Sequence, residues 1–230
     1  MNGWKIFSGS LLFVMTSLDP NTSHAATVAE RLEEYGTHAR TRLSLHFAKQ
    51  EVFYPPVGLI LVGLKQEKIL EVHARSGTNG FKLIRTYPIL AASGKAGPKL
   101  REGDRQVPEG IYAIESLNPN SRYHLSLRVN YPNAFDREQA RKEKRTNLGG
   151  DIMIHGKAVS IGCLAMGDEA AEDLFVLAAD TGLKNIKVIL APLDFRDHDV
   201  VPGGEKLPPW TAQLYEQVRA ELAKLPAAKK

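Results

Sequence analysis

At Pro55-Pro56 the spacing of apolar residues in this 230-residue chain changes period, and the change constrains the fold more than any other feature. Upstream, Val28, Leu32, Tyr35, Ala39, Leu43 and Phe47 recur at steps of three and four, the single apolar stripe of a helix that packs on something. Downstream, Gly58-Leu59-Ile60-Leu61-Val62 and Ile69-Leu70-Glu71-Val72-His73-Ala74 flank the polar Lys65-Gln66-Glu67-Lys68, the pattern of a β-hairpin. Further strands are predicted at 81–89, 110–116, 123–129, 151–154 and 183–190. Helices are predicted at 167–182, stopped by Gly182, and at 208–225, opened by Pro208-Pro209. A run of strands with helices on either side describes a mainly β, α+β fold with an N-terminal and a C-terminal helix.

Two stretches carry no such period. Residues 93–109 make a long loop rich in Gly, Lys, Arg and Pro, and loops of that length are uncommon unless they are functional. Residues 136–150 set Arg137, Arg141, Lys142, Lys144 and Arg145 against Asp136, Glu138 and Glu143. They read as a solvated helix or loop, with a substrate-binding basic patch as the alternative.

The first 25 residues read as an export signal. Lys5 supplies the positive start, residues 6–15 an apolar centre, and Ser23-His24-Ala25 the small residues of a cleavage site. The apolar centre is about half the roughly 20 residues a membrane span requires. Cleavage after Ala25 therefore predicts an exported protein, in the bacterial periplasm or another secretory compartment, with no stable membrane span once the signal is removed. The expected division is 1–25 signal, 26–54 N-terminal helix, 55–195 strand-rich domain and 196–230 C-terminal helical extension. With 43% hydrophobic and 24% charged residues, disordered and fibrous classes are excluded. The net charge of +4 favours anionic surfaces, including a carboxylate-rich polymer, and is far from the clustered charge of a nucleic-acid binder.

Cys163 is the only cysteine, so an exported chain keeps a thiol with no partner in an oxidising compartment. The strand at 151–154 delivers His155, and Gly156 lets the backbone turn away behind it. A thiol within reach of that imidazole would have a lowered pKa and act as a nucleophile. Gly162 leaves room for an approaching carbonyl, and amides at 162–164 would donate to its oxyanion. The other reading is a small buried hydrophobe beside the end of a core strand. Metal is not expected: His38, His46, His73, His124, His155 and His198 are scattered, without His-Glu-x-x-His or paired cysteines.

Three runs together resemble the L,D-transpeptidase catalytic (YkuD-type) domain. They are His155-Gly156, Ser160-Ile161-Gly162-Cys163 with Met166, and Val107-Pro108-Glu109-Gly110-Ile111-Tyr112. The YafK-like branch is the closer match, through Gly97-Pro98-Lys99-Leu100-Arg101-Glu102-Gly103-Asp104, the 117–127 run and Tyr131-Pro132-Asn133-Ala134-Phe135-Asp136. The resemblance implies a mostly β domain whose cysteine attacks a peptidoglycan stem peptide at the carbonyl of its third residue, usually diaminopimelate. Carried over by position, Cys163 is the nucleophile and His155 the general base, oriented by a backbone carbonyl. Gly162, Leu164 and Ser160 would support the oxyanion, and Tyr123, His124, Lys99 and Arg101 would contact substrate, with no cofactor or metal. Partners would be peptidoglycan stem peptides and a wall-linked lipoprotein. Ile161 and Ala165 replace the His and Arg of typical transpeptidases, which leaves hydrolysis open beside transpeptidation. A non-catalytic murein-binding protein is the reading from another class.

Overall fold

A computed structural model describes residues 1, 25–198 and 207–228. Nearly all of the expected export signal falls outside them. Helix α1 (Val28–Lys49) starts at a capping box, in which the Thr27 hydroxyl accepts from the Glu30 N–H and the Glu30 carboxylate accepts from the Thr27 N–H. Its stripe buries Gly36, Ala39, Leu43 and Phe47, and the helix stops at Lys49, several residues before the proline pair.

Among the described residues nine strands follow: β1 (Gly58–Leu64), β2 (Ile69–Arg75), β3 (Lys82–Pro88), β4 (Ala91–Ala92), β5 (Gly110–Ser121), β6 (His124–Val129), β7 (Met153–His155), β8 (Leu164–Ala165) and β9 (Ile186–Ala191). Helices α2 (Ala134–Lys142), α3 (Asp168–Thr181) and α4 (Thr211–Leu222) complete the chain. The strands lie in the order β3-β2-β1-β9-β5-β6-β7-β8-β4. Strand β9 inserts between β1, which it joins in parallel, and the start of β5, which it joins antiparallel. The later part of β5 pairs with β6 across register shifts after Ile114 and Asn118, and such bulges bend and twist a sheet. The fold is thus a mixed sheet with flanking helices, as the strand run predicts.

Strand β1 is buried along its whole length, which explains why its sequence is unbroken rather than alternating. Leu59 and Leu61 join the larger core beneath α1 and α3, whereas Ile60, Val62 and Leu64 join a second core with Leu214, Val218 and Leu222 of α4. Charge locks α1 to α3: Arg42 reaches Asp173 at 2.7 Å and Arg40 reaches Asp180 at 2.8 Å. Asp173, fully buried, also receives the Tyr87 hydroxyl at 2.8 Å and Arg85 at 3.2 Å, so its charge is compensated where isolation would be costly.

Two expectations are revised. Within 136–150, α2 is capped by Asn133 and buries Asp136, Gln139 and Ala140, so that stretch is packed on one side. The strand expected at 183–190 opens with a 3-10 turn, Leu183–Asn185, because Gly182 turns the chain at φ 81°. No helix among the described residues is long and apolar enough to cross a membrane.

Candidate active site

Strand β7 sits between β6 and β8 and ends at His155, whose register partners are Ser126 and Ala165. Cys163 immediately precedes β8, so the parallel pairing of two very short strands sets the thiol loop beside the histidine. The turn between them needs Gly156. A Cβ there would lie 2.6 Å from Asp168 Oδ1 and 2.7 Å from the Tyr123 carbonyl. Gly162 is required for a different reason: its φ of 95° lies in a region that L side chains rarely adopt.

His155 is 1% exposed, and its Nδ1 lies 2.6 Å from the Gly156 carbonyl oxygen. A carbonyl only accepts, so Nδ1 carries the hydrogen and Nε2 is left with the lone pair of a base. Burial lowers the His155 pKa, against a smaller rise from the Gly156 carbonyl, and the ring is neutral at neutral pH. Tyr123 covers this imidazole, with ring centroids 4.7 Å apart.

Cys163 is half-buried. Its sulfur accepts from the Met153 N–H at 3.4 Å and donates to the Asp151 carbonyl at 3.5 Å. Burial pushes the thiol pKa up. The Met153 N–H opposes that rise, the Asp151 charge adds to it, and the Lys99 charge opposes it. This corrects the expected low pKa: among the described residues no hydrogen bond joins Sγ to His155, and a neutral imidazole does not stabilise a thiolate. The resting site is a neutral thiol beside a neutral base.

The supporting groups differ in use. The Ser160 hydroxyl accepts from the Cys163 N–H at 2.9 Å and donates to the Cys163 carbonyl at 2.6 Å, bracing the nucleophile's own backbone. The Gly162 N–H donates to Ser93 Oγ at 2.6 Å, so this amide reaches an oxyanion only by exchanging that partner. Ser93 in turn donates to the Arg105 carbonyl at 2.7 Å, which ties the long 93–109 loop to the nucleophile. Leu164 is buried within β8, between β7 and β4.

The four expected substrate contacts separate. Tyr123 lies at the site. His124 turns away from it, with Nε2 3.1 Å from Glu172 and its ring against Tyr35. Lys99 is 6% exposed and bound to Asp104 at 2.5 Å, so it reaches the thiol through its charge rather than by contact. Arg101 lines a neighbouring cavity of about 730 Å³. Neither His155 nor Cys163 lines that cavity. Sequence reasoning missed Ser93, Gln106 and Asp151. The only signal for the first two was the unusual length of their loop. Among the described residues no cluster of His, Cys, Asp and Glu is arranged to hold a metal ion.

Residues 58–189, more than half of the chain, match the family profile described as L,D-transpeptidase catalytic domain (YkuD). YafK of Escherichia coli (strain K12), named provisionally as an L,D-transpeptidase, is 32% identical over 154 residues, covering 65% of this chain and 59% of that protein. The chain therefore spans less than two thirds of the length of this curated relative. Among solved structures, the helical cell shape determining protein Pgp2 of Campylobacter jejuni is similar at a TM-score of 0.49 and 22% identity, covering 64% of this chain and 50% of that one. Bd1075 of Bdellovibrio bacteriovorus is similar at a TM-score of 0.42 and 21% identity, covering 72% and 54%.

Proposed function

Because the chain belongs to the L,D-transpeptidase catalytic-domain (YkuD) family, we propose that it is a periplasmic cysteine peptidyltransferase acting on peptidoglycan stem peptides at the carbonyl of the third residue. The observation that carries the chemistry is the Nδ1–H to Gly156 carbonyl bond, which leaves a buried, neutral His155 with one basic nitrogen beside the chain's single thiol. In this reading His155 Nε2 takes the Sγ proton as Cys163 attacks. A carbon–sulfur bond forms, the carbonyl oxygen becomes an oxyanion, and collapse breaks the carbon–nitrogen bond while the imidazolium returns its proton to the leaving amine. A thioester remains, and an amine or water resolves it.

Water as the second nucleophile is favoured by Ile161, which stands 74% exposed next to Gly162 and offers no hydrogen bond to an incoming amine. Ala165 carries no weight here, since it is fully buried in β8 against β4 and β7. The test is incubation of purified protein with isolated tetrapeptide muropeptides, with products read by mass. Tripeptide products with little cross-linked dimer are expected, together with loss of turnover in Cys163→Ser and nearly equal loss in His155→Ala. The two losses should not add, because the residues act as one unit. Abundant cross-linked dimer would reverse the preference for water. Turnover retained in Cys163→Ser would sink the thioester itself.

A further inference from the structure

The cavity of about 730 Å³ beside the thiol loop is walled by three separate stretches, 94–106, 144–147 and 207–208. The last of these lies outside the 58–189 match, so this chain's C-terminal extension forms one wall. The cavity is coupled to the nucleophile through Gln106. Gln106 lines the cavity and its side-chain Nε2 donates to the Lys95 carbonyl at 2.7 Å, while its backbone carbonyl oxygen lies 3.7 Å from where a Cβ on Gly162 would sit.

The walls are held rigid from beneath. Lys65 donates to the Lys95 carbonyl at 2.6 Å and to Glu109 at 2.8 Å. Glu109 also accepts from the Gly97 N–H at 2.9 Å and the Tyr215 hydroxyl at 2.6 Å. Trp210 Nε1 donates to Glu143 at 2.8 Å, and Glu143 holds Arg145 at 2.7 Å, so α4 is tied to both remaining walls.

Charge in the cavity is unbalanced in a specific way. Its one acidic residue, Asp104, spends one oxygen on Lys99 and the Gln106 N–H and the other on the N–H groups of Leu100 and Arg101. Arg145 is engaged by Glu143 and by the Leu100 carbonyl. The side chains of Arg101 and Lys144, on two different walls, make no hydrogen bond or ion pair among the described residues. In the same lining Leu100, Leu207 and Pro208 give an apolar surface. A concavity of this size, in which an apolar surface is combined with several polar and charged groups, is suited to a ligand with both kinds of group.

We infer that this cavity binds a carboxylate-bearing peptide, with Arg101 and Lys144 taking carboxylate and Leu100, Leu207 and Pro208 the apolar body. The C-terminal extension is thereby part of the substrate site. The inference rests on the function proposed above for the identity of the peptide, and the cavity itself is a separate claim about where that peptide is held.

The probe is an isolated tetrapeptide muropeptide, titrated calorimetrically into Cys163→Ala so that nothing is turned over. Combining Arg101→Gln with Lys144→Gln should weaken binding at least about tenfold, as loss of hydrogen bonds to charged groups implies. Leu207→Ala should weaken it further, and Arg141→Gln, exposed on α2 and absent from the cavity wall, should not. Amidating the probe's carboxylates should cost the parent protein affinity and cost the double variant almost nothing. Unchanged affinity in the double variant, or no measurable binding to Cys163→Ala, would overturn the inference. The two readings part cleanly. Binding that depends on Arg101 and Lys144 without turnover by the parent protein sinks the proposed function and keeps the cavity. Turnover with unchanged KM in the double variant does the reverse.

Discussion

Tyr123 lays its ring over the imidazole of His155, centroids 4.7 Å apart and planes tilted by 32°. Tyr123 is itself 41% exposed, so it is the cover that separates a buried base from water. Burial is what lowers the His155 pKa. Removing the cover in Tyr123→Ala should let that pKa rise toward the ordinary histidine value. His155 must be neutral to accept a proton, so the acid limb of the kcat/KM profile should move to higher pH, with the largest loss of rate below pH 6.5. An acid limb that stays in place would show that the ring does not control the base.

The thiol should behave as a protonated one. Burial holds its pKa above the ordinary cysteine value, and no imidazolium offsets that effect. Alkylation of the folded protein by iodoacetamide should be slow at neutral pH and should still be climbing where a free cysteine has reached its plateau. Fast labelling at pH 6 that is lost in His155→Ala would instead indicate a preformed thiolate and imidazolium pair.

Gly156→Ala tests the turn. The added methyl would meet the Tyr123 carbonyl at 2.7 Å and Asp168 Oδ1 at 2.6 Å, and the backbone carbonyl cannot swing aside as a side chain would. A loss of about 1–3 kcal/mol in unfolding free energy is expected, typical of overpacking, together with a fall in activity larger than instability explains, because Tyr123 is displaced from His155. Chemical denaturation and kcat/KM measured on the same preparations decide it.

Asp136 gives a pH dependence with a definite sign. Burial in the first turn of α2 raises its carboxyl from 3.8 to about 6. Across that window the folded protein keeps a proton that the unfolded chain has released, so this group's contribution to stability falls as pH rises, by up to about 3 kcal/mol. Asp136→Asn, which keeps the shape and cannot ionise, should remove that decline. Thermal melts of both proteins between pH 4 and pH 7 should therefore diverge, with the variant gaining on the parent as pH rises.

Much of the fold is legible because its elements are long enough to have a period. The stripe from Val28 to Phe47 gives α1, and the unbroken run from Gly58 gives a strand buried on both faces. Strands β4 and β8 have two residues each, too few for any pattern, yet β8 is what sets Cys163 beside His155. The chemistry of the site is legible in residue type, a lone thiol with a histidine eight residues before it. Its supports are not: Ser93 is 69 residues from the amide it accepts from, and only the folded sheet brings them together. The thiol's pKa is not legible in the sequence for a related reason. Proximity in sequence suggests a charged partner, whereas burial, to which the Asp151 charge adds, sets the state.

Strand β9 fills the gap between β1 and β5, pairing residues 59–64 with residues more than a hundred positions later. Until residue 191 has been made, then, the backbone ladder that joins the two halves of the sheet is missing, and only side chains hold the halves together, through the shared core and the ion pairs of Arg40 and Arg42 with α3. A partly synthesised chain therefore holds its reactive sulfur on an unfinished scaffold.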